Sequence, residues 1–202
     1  GDEDNFWHMN IPGPCGPCSE IFIDRGSKYG EDGGPIGGGE DRFIEIWNLV
    51  FMESIQDQPF QVINELPKKN IDTGMGLERI AMIMQNKENL FDTDLFKPLH
   101  DALLTKITVN NNKYEKIIID HIKSSTFMIS DGVVPTNEGR GYVLRRLIRR
   151  AIRAFNQLNP SITSLTFLIE IVIDMYATSY PELKDNKDKI LKLFIKEEEI
   201  FQ

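Results

Sequence analysis

Three short stretches hold side chains whose types and spacing suit chemistry. Cys15-Gly16-Pro17-Cys18 has the spacing of a dithiol exchange site. Asp72-Thr73-Gly74 repeats the surroundings of an aspartic-protease carboxylate. The stretch "NEGRGYVLRRLIRRAIRAF", which begins at Asn137, places six arginines and no acid between Arg140 and Arg153.

A redox dithiol needs its first cysteine at a helix N-terminus after a buried strand, where the thiolate is stabilised. Here the approach is "HMNIPGP" and the continuation "SEIFID" alternates like a strand. Structural zinc needs four ligands, and no second cysteine pair or suitably spaced histidine accompanies the first. The pair reads instead as a rigid turn entering a strand. An aspartic protease pairs two carboxylates, whereas the chain has one Asp-Thr-Gly and no apolar flap sequence after it.

"NIDTGMGLERIAMIM" describes a strand end, a glycine-lined entrance and then a helix. Gly74 and Gly76 let backbone approach a flat or bulky ligand. Leu77, Ile80, Ala81 and Met84 form the expected buried stripe, with Arg79 off that stripe. A fork-shaped cation beside a glycine entrance suits a phosphate. Asp72 supplies a fixed anion for an ammonium group.

On a helical wheel Arg145, Arg146, Arg149, Arg150 and Arg153 share an arc of about 140°. Val143, Leu144, Leu147, Ile148, Ala151, Ile152, Ala154 and Phe155 take the other side. A face built for solubility mixes signs; this one is purely cationic. A phosphate backbone is its natural partner. The turn "VVPTNEGRG" holds Asn137 at the helix start, where an amide reads base edges while arginines fix register. The structural alternative is that these arginines pair with acids of a neighbouring domain.

The elements that must position these groups follow from composition and period. The 202 residues carry 41% hydrophobic and 27% charged side chains, ordinary for a globular protein. The net charge of −8 is offset locally by the arginine run, with acids concentrated at residues 2–4, 31–41 and 197–199. Two cysteines are too few for a disulfide scaffold, so a reducing compartment is expected. No apolar run approaches the length of a membrane span. The chain begins Gly-Asp-Glu-Asp and reads as an internal piece of a longer protein.

Up to about Leu90 the pattern is strands and glycine loops. Residues 26–41 hold seven glycines and read as a flexible connection between strands. "RFIEIWNLVFM" is apolar on both faces and predicts a central strand covered on both sides. Strand period sets Glu45 with Phe43, Trp47, Leu49 and Phe51, and Asn48 with Ile44, Ile46 and Val50. Such interruptions are either structural hydrogen bonds or side chains aimed into a pocket; we favour the pocket. After Phe91 amphipathic spacing predicts helices over 92–105, 114–129, 139–158, 161–179 and 184–202. The expected architecture is α+β: a sheet domain over 1–90 followed by a helical domain over 91–202.

The blocks "GPCGPCSEI", "DRFIEIWNLVFM", "LPKKNIDTGMGLER" and "DGVVPTNEGRGYVLRRLIRRAIR" together resemble the alanyl-tRNA synthetase family of class II synthetases, in that family's order and across nearly the whole chain. Residues 72–79 resemble class II motif 3. The resemblance implies the C-terminal part of a class II antiparallel catalytic sheet, then an incomplete helical domain that recognises the tRNA acceptor stem. It implies activation of alanine by ATP, with Mg²⁺ on the phosphates, and transfer to tRNA in the cytoplasm. Asp72 and Arg79 would be catalytic. Trp7, Asn48, Asp72 and Gly74 would bind alanine, and Gly76 and Arg79 would bind ATP. Asn137 would approach the acceptor-stem G·U pair, with Arg140, Arg145, Arg146, Arg149, Arg150 and Arg153 on the tRNA backbone. Class II motifs 1 and 2 would lie upstream, and an editing domain with any zinc downstream, so this piece alone is expected to be inactive. The chain departs from the family pattern at Asn10-Ile11-Pro12, at Lys123 and at Thr136. The alternative is a non-catalytic RNA-binding module with a vestigial adenylate pocket.

Overall fold

A computed structural model describes residues 4–37, 39, 41–162 and 164–201. Asp2, Glu3, Gly38 and Glu40 of the glycine-rich and acidic stretches lie outside the described residues, as do Thr163 and Gln202 of two predicted helices. The chain forms two compact units, Gly1–Leu90 and Phe91–Gln202. The architecture is α+β, with an antiparallel sheet in the first unit and helices throughout the second.

The sheet runs β1 (Phe6–His8), β2 (Gly13–Asp24), β3 (Phe43–Gln58) and β4 (Gln61–Met75), in that spatial order. Both cysteines lie within β2, so the expected turn is itself strand. A register shift separates Cys15 from Cys18. Gly16 sits inside it, where a Cβ would stand 1.8 Å from the Phe51 carbonyl oxygen. Only glycine permits that approach of two backbones. β4 carries Pro67 without cost to the ladder because it is an edge strand and the register skips from Asn70 to Glu65.

The connection from β2 to β3 is tied down rather than free. Arg42 donates Nε and Nη2 to Asp24, at 2.7 and 2.9 Å, and Nη1 to the Gly30 carbonyl at 3.0 Å. The Arg25 guanidinium lies 3.6 Å above the Tyr29 ring. A short helix, α1 (Gly34–Gly37), follows. β3 is central, as its sequence predicts, but its side chains are half-buried along almost its whole length, not covered on both faces.

In α2 (Leu77–Met84) only Met82 is buried. The predicted stripe fails at its ends, since Leu77 is 56% and Met84 78% exposed. The helix packs on β3, and its apolar ends stand uncovered among the described residues.

In the second unit α3 (Lys97–Leu104) is shorter than its pattern predicts, because Pro98 is compatible only with a first helical turn. α4 (Asn112–Ser130) starts on Asn111, whose Oδ1 accepts from Lys113 and Tyr114 N–H, while Glu115 Oε1 accepts from Asn111 N–H. Such reciprocal capping contributes about 1 kcal/mol. α5 (Gly139–Leu158) has the predicted limits, and Thr108 donates Oγ1–H to its last carbonyl, on Leu158. α4 and α5 pack as a pair, burying Ile118, Ile122, Leu144, Ile148 and Phe155. Val143 departs from the predicted apolar face and is half-exposed.

α6 (Thr166–Tyr176) is shorter than the predicted 161–179. Its entry donors bind Glu198, which accepts Leu165 N–H at 2.8 Å and Ser164 Oγ–H at 2.9 Å. Burial pushes the Glu198 carboxyl up, and these two hydrogen bonds pull partly the other way. The last predicted helix is two: α7 (Glu182–Asp185) and α8 (Lys187–Phe201). They break at Asn186, whose Nδ2 donates to the Ser130 carbonyl and hydroxyl.

Candidate functional site

Strand register assembles the first candidate site. Asn48 on β3 is opposite Gly74 on β4, and Val50 is opposite Asp72. Opposed residues share a face and so do residues two apart, so Asn48, Gly74 and Asp72 point to one side of the sheet. Asn48 and Asp72 are then diagonal neighbours, about 7–8 Å apart at Cα, with Gly74 beside them. A Cβ on Gly74 would meet nothing within 4 Å. The carboxamide and the carboxylate therefore flank open space about one small ligand wide.

The side chains are oriented. Glu20 on β2 is opposite Asn48 and accepts its Nδ2–H at 3.2 Å, which turns the Asn48 carbonyl oxygen the other way. Asp72 Oδ1 accepts Thr73 N–H at 2.9 Å. Two acceptors on one face, one of them anionic, match what an ammonium group requires. Sequence reasoning missed Glu20. The alternation of "SEIFID" placed it on a strand, but only the β2–β3 register shows that it touches Asn48.

Arg79 sits at the start of α2, where the Gly76 N–H bonds to the Ile46 carbonyl and anchors the turn to β3. Its Nη1 donates to the Glu45 carbonyl at 2.8 Å and lies 3.5 Å from the Glu45 carboxylate. The guanidinium is half-exposed and keeps donors for an anion. Glu45 thus orients Arg79. Gly76 touches the Arg79 side chain, the nearest atom being 3.2 Å from where its Cβ would be. Trp7 is half-buried on β1, opposite Gly16 and two strands from β3, so the register does not set it beside Asn48. The loop before β2 turns at Asn10, which has φ 59°, a left-handed value that asparagine tolerates.

Cys15 and Cys18 are free thiols on a strand. Burial pushes both up from the ordinary thiol value, and Glu20 and Glu45 push Cys18 further. An exchange site needs the opposite. Among the described residues no group of three His, Cys, Asp or Glu side chains is placed to hold a metal ion. No helix of the described chain is long and apolar enough to cross a membrane.

The second candidate site is the start and outer face of α5. Gly141 lets the preceding turn pack onto the helix, since a Cβ there would stand 2.1 Å from Thr136 Oγ1 and 2.3 Å from the Val134 carbonyl. That turn presents Asn137 and Arg140, both exposed. The five-arginine face divides. Arg145 and Arg149 turn to Glu197 on α8, at 3.3 and 2.7 Å, and Arg145 also donates Nη1–H to Asn137 Oδ1. The structural alternative therefore holds for these two, with the acid coming from within the same unit. Arg146 lies over the Tyr142 ring, and Arg150 and Arg153 border a groove of ≈ 440 Å³ with Lys113, Tyr114 and Asn156. Lys123 lies over Phe96 and Tyr176, away from this face.

Comparison with known proteins places the chain in a family. The family model described as tRNA synthetases class II (A) matches residues 1–202. An alanine–tRNA ligase of Corynebacterium glutamicum (strain R) is 45% identical over 215 residues, covering 100% of this chain and 24% of that protein. The alanine–tRNA ligase of Corynebacterium diphtheriae is 47% identical over 212 residues and that of Frankia casuarinae 46% over 211, with the same shares covered. The chain thus spans 24% of the length of these curated relatives. With a sheet, a glycine-flanked Asp72–Arg79 segment and a full-length family match, the chain belongs to the class II tRNA synthetases.

Proposed function

We propose that the chain is the part of an alanine–tRNA ligase that closes its amino-acid pocket and reads the tRNA acceptor stem. The observation that carries this reading is the shared face of Asn48, Asp72 and Gly74, open above the glycine. Asp72 and the outward carbonyl oxygen of Asn48 receive the alanine ammonium group. Gly74 leaves room for a methyl side chain. Arg79 holds an ATP phosphate, with Gly76 against the adenine.

Alanine carboxylate oxygen attacks the α-phosphorus of ATP, the bond to the pyrophosphate oxygen breaks, and alanyl-adenylate and pyrophosphate result. The ribose hydroxyl at the tRNA 3′-end then displaces AMP from the carbonyl carbon. These residues act by positioning and by balancing charge. Mg²⁺ characteristically binds through substrate phosphates with one or two carboxylates, so it needs no cage of protein ligands.

In the second unit Asn137 reads the acceptor-stem G·U pair. Arg140, Arg146, Arg150 and Arg153 neutralise phosphates, while Arg145 and Arg149 support them from the protein side. The test is Asp72→Asn in the full-length protein, followed by alanine-dependent ATP–pyrophosphate exchange. Loss of exchange by at least two orders of magnitude is expected; near-normal exchange refutes the assignment. A parent protein without any exchange supports the RNA-binding alternative.

A further inference from the structure

We propose that Glu197 is a positioning residue for acceptor-stem recognition, acting through Arg145 on Asn137; this rests on the reading that Asn137 touches the stem. Glu197 is on α8, and its side chain is 3% exposed. A carboxylate so placed is costly unless paired, and a helix facing α5 alone has many cheaper residues to offer. It receives two guanidinium groups: Arg149 donates Nε–H at 2.7 Å, and Arg145 Nε lies 3.3 Å away. The Arg145 Nε contact is an ion pair without hydrogen-bond alignment. The Arg145 Nη atoms are therefore free to point the other way, toward the turn before α5.

There Nη1 donates to Asn137 Oδ1, and Nη2 is 3.4 Å from the Pro135 carbonyl. The buried carboxylate draws the guanidinium toward α8 from its Nε side, which leaves the Nη edge facing the turn before α5. Arginine has donors only. The Asn137 amide must therefore turn its oxygen inward and its NH₂ outward. One buried acid thus decides that the exposed end of Asn137 is a donor. The shallow minor groove of an RNA helix displays acceptors to such a group, the pyrimidine O2 and purine N3, and the wobble shift of uracil puts its O2 in a different place from that of cytosine in G·C. An amide free to flip would present donor and acceptor alike and discriminate poorly.

The arginine pair also explains the division of the cationic face. Arg149 stacks above Phe201, 5.1 Å from the ring centre, and so is held in place by α8 on two sides. The neighbouring Arg146 and Arg150 keep an outward course on the same helix. Glu197 therefore holds Arg145 and Arg149 to the protein, while Arg153 reaches α8 only through the Phe201 ring, 5.2 Å from its centre.

The experiment compares Glu197→Ala, Glu197→Gln, Asn137→Ala and the Asn137→Ala/Glu197→Ala pair in the full-length protein. Charging kcat/KM is measured on acceptor stems with G·U and with G·C, alongside ATP–pyrophosphate exchange. Glu197→Ala should lower the G·U preference about tenfold, the worth of one base-edge contact, with exchange intact. Glu197→Gln keeps the volume and an acceptor and should lose about threefold, which guards against misfolding of the alanine variant. In the Asn137→Ala background, removing Glu197 should change the preference no further. Equal losses on both stems, or an unchanged preference in both Glu197 variants while Asn137→Ala loses it, overturns the proposal alone. An unchanged preference in Asn137→Ala overturns the reading beneath it as well.

Discussion

Gly141→Ala puts the coupling between the α5 helix start and recognition to a numerical test. The added methyl would stand 2.1 Å from Thr136 Oγ1, 2.3 Å from the Val134 carbonyl and 2.9 Å from Thr136 N. Two of these are backbone atoms, so the turn itself must retreat by about 1 Å to restore ordinary contact. Forcing a group into such a space costs about 1–3 kcal/mol. Alanine gains back about 1 kcal/mol of helix preference over glycine. The net expectation is a loss of about 0–2 kcal/mol in stability. Asn137 follows Thr136 directly, and a hydrogen bond lengthened by about 1 Å from its usual length is no longer one. Preference for a G·U stem should then fall roughly tenfold, since one base-edge contact is worth about 1–3 kcal/mol. The assay is charging of G·U and G·C stems by the full-length variant, with thermal unfolding and ATP–pyrophosphate exchange in parallel. Exchange should hold, because Asn48, Asp72 and Arg79 belong to the other unit. Unchanged preference and unchanged melting together would refute the reasoning.

Two further predictions concern charge. Asp24 is held well below the usual carboxylate range, at about 2, first by the Arg42 hydrogen bonds and then by the Gly26 N–H. Its contribution is therefore present above its ordinary value and lost as pH falls through about 2. Asp24→Asn should remove that dependence, so denaturant midpoints of parent and variant should converge toward pH 2; a constant gap would contradict the latch. Arg146→Glu with Arg150→Glu should lower the salt slope of tRNA binding by about one unit for each phosphate no longer neutralised. Arg149→Ala should leave the slope nearly unchanged and lower the melting temperature instead; the reverse pattern would mean the face is assigned the wrong way round.

The sequence made some of this arrangement legible. α5 was readable to its end residues because its apolar and cationic positions keep helical period and Gly139 and Asn159 flank them. Strand parity alone sets Glu45 and Asn48 on opposite faces of β3. The register, however, skips Ile46, pairing Trp47 with Ile21 and Glu45 with Phe22, and this bulge brings Glu45 to the face of Asn48. Parity within one strand does not reveal register between strands, so the pairing of Asn48 with Glu20 and with Gly74 had to come from the structure. Distance along the chain hid Glu197, 48 residues from Arg149. Amphipathic period overstated burial at Leu77 and Met84, because period shows an apolar face and not what covers it. Helix ends were misjudged where side-chain hydrogen bonds replaced the next turn, as at Ser164–Thr166 and at Asn186.

Gly74→Ala tests the pocket most directly. In the free protein the new methyl meets nothing within 4 Å, so thermal unfolding should match the parent. If alanine is bound above that glycine, between Asn48 and Asp72, the methyl takes its space, and alanine-dependent ATP–pyrophosphate exchange should fall by about tenfold or more, with glycine affected less. Exchange with alanine at the parent level, in a variant that folds normally, would contradict the account.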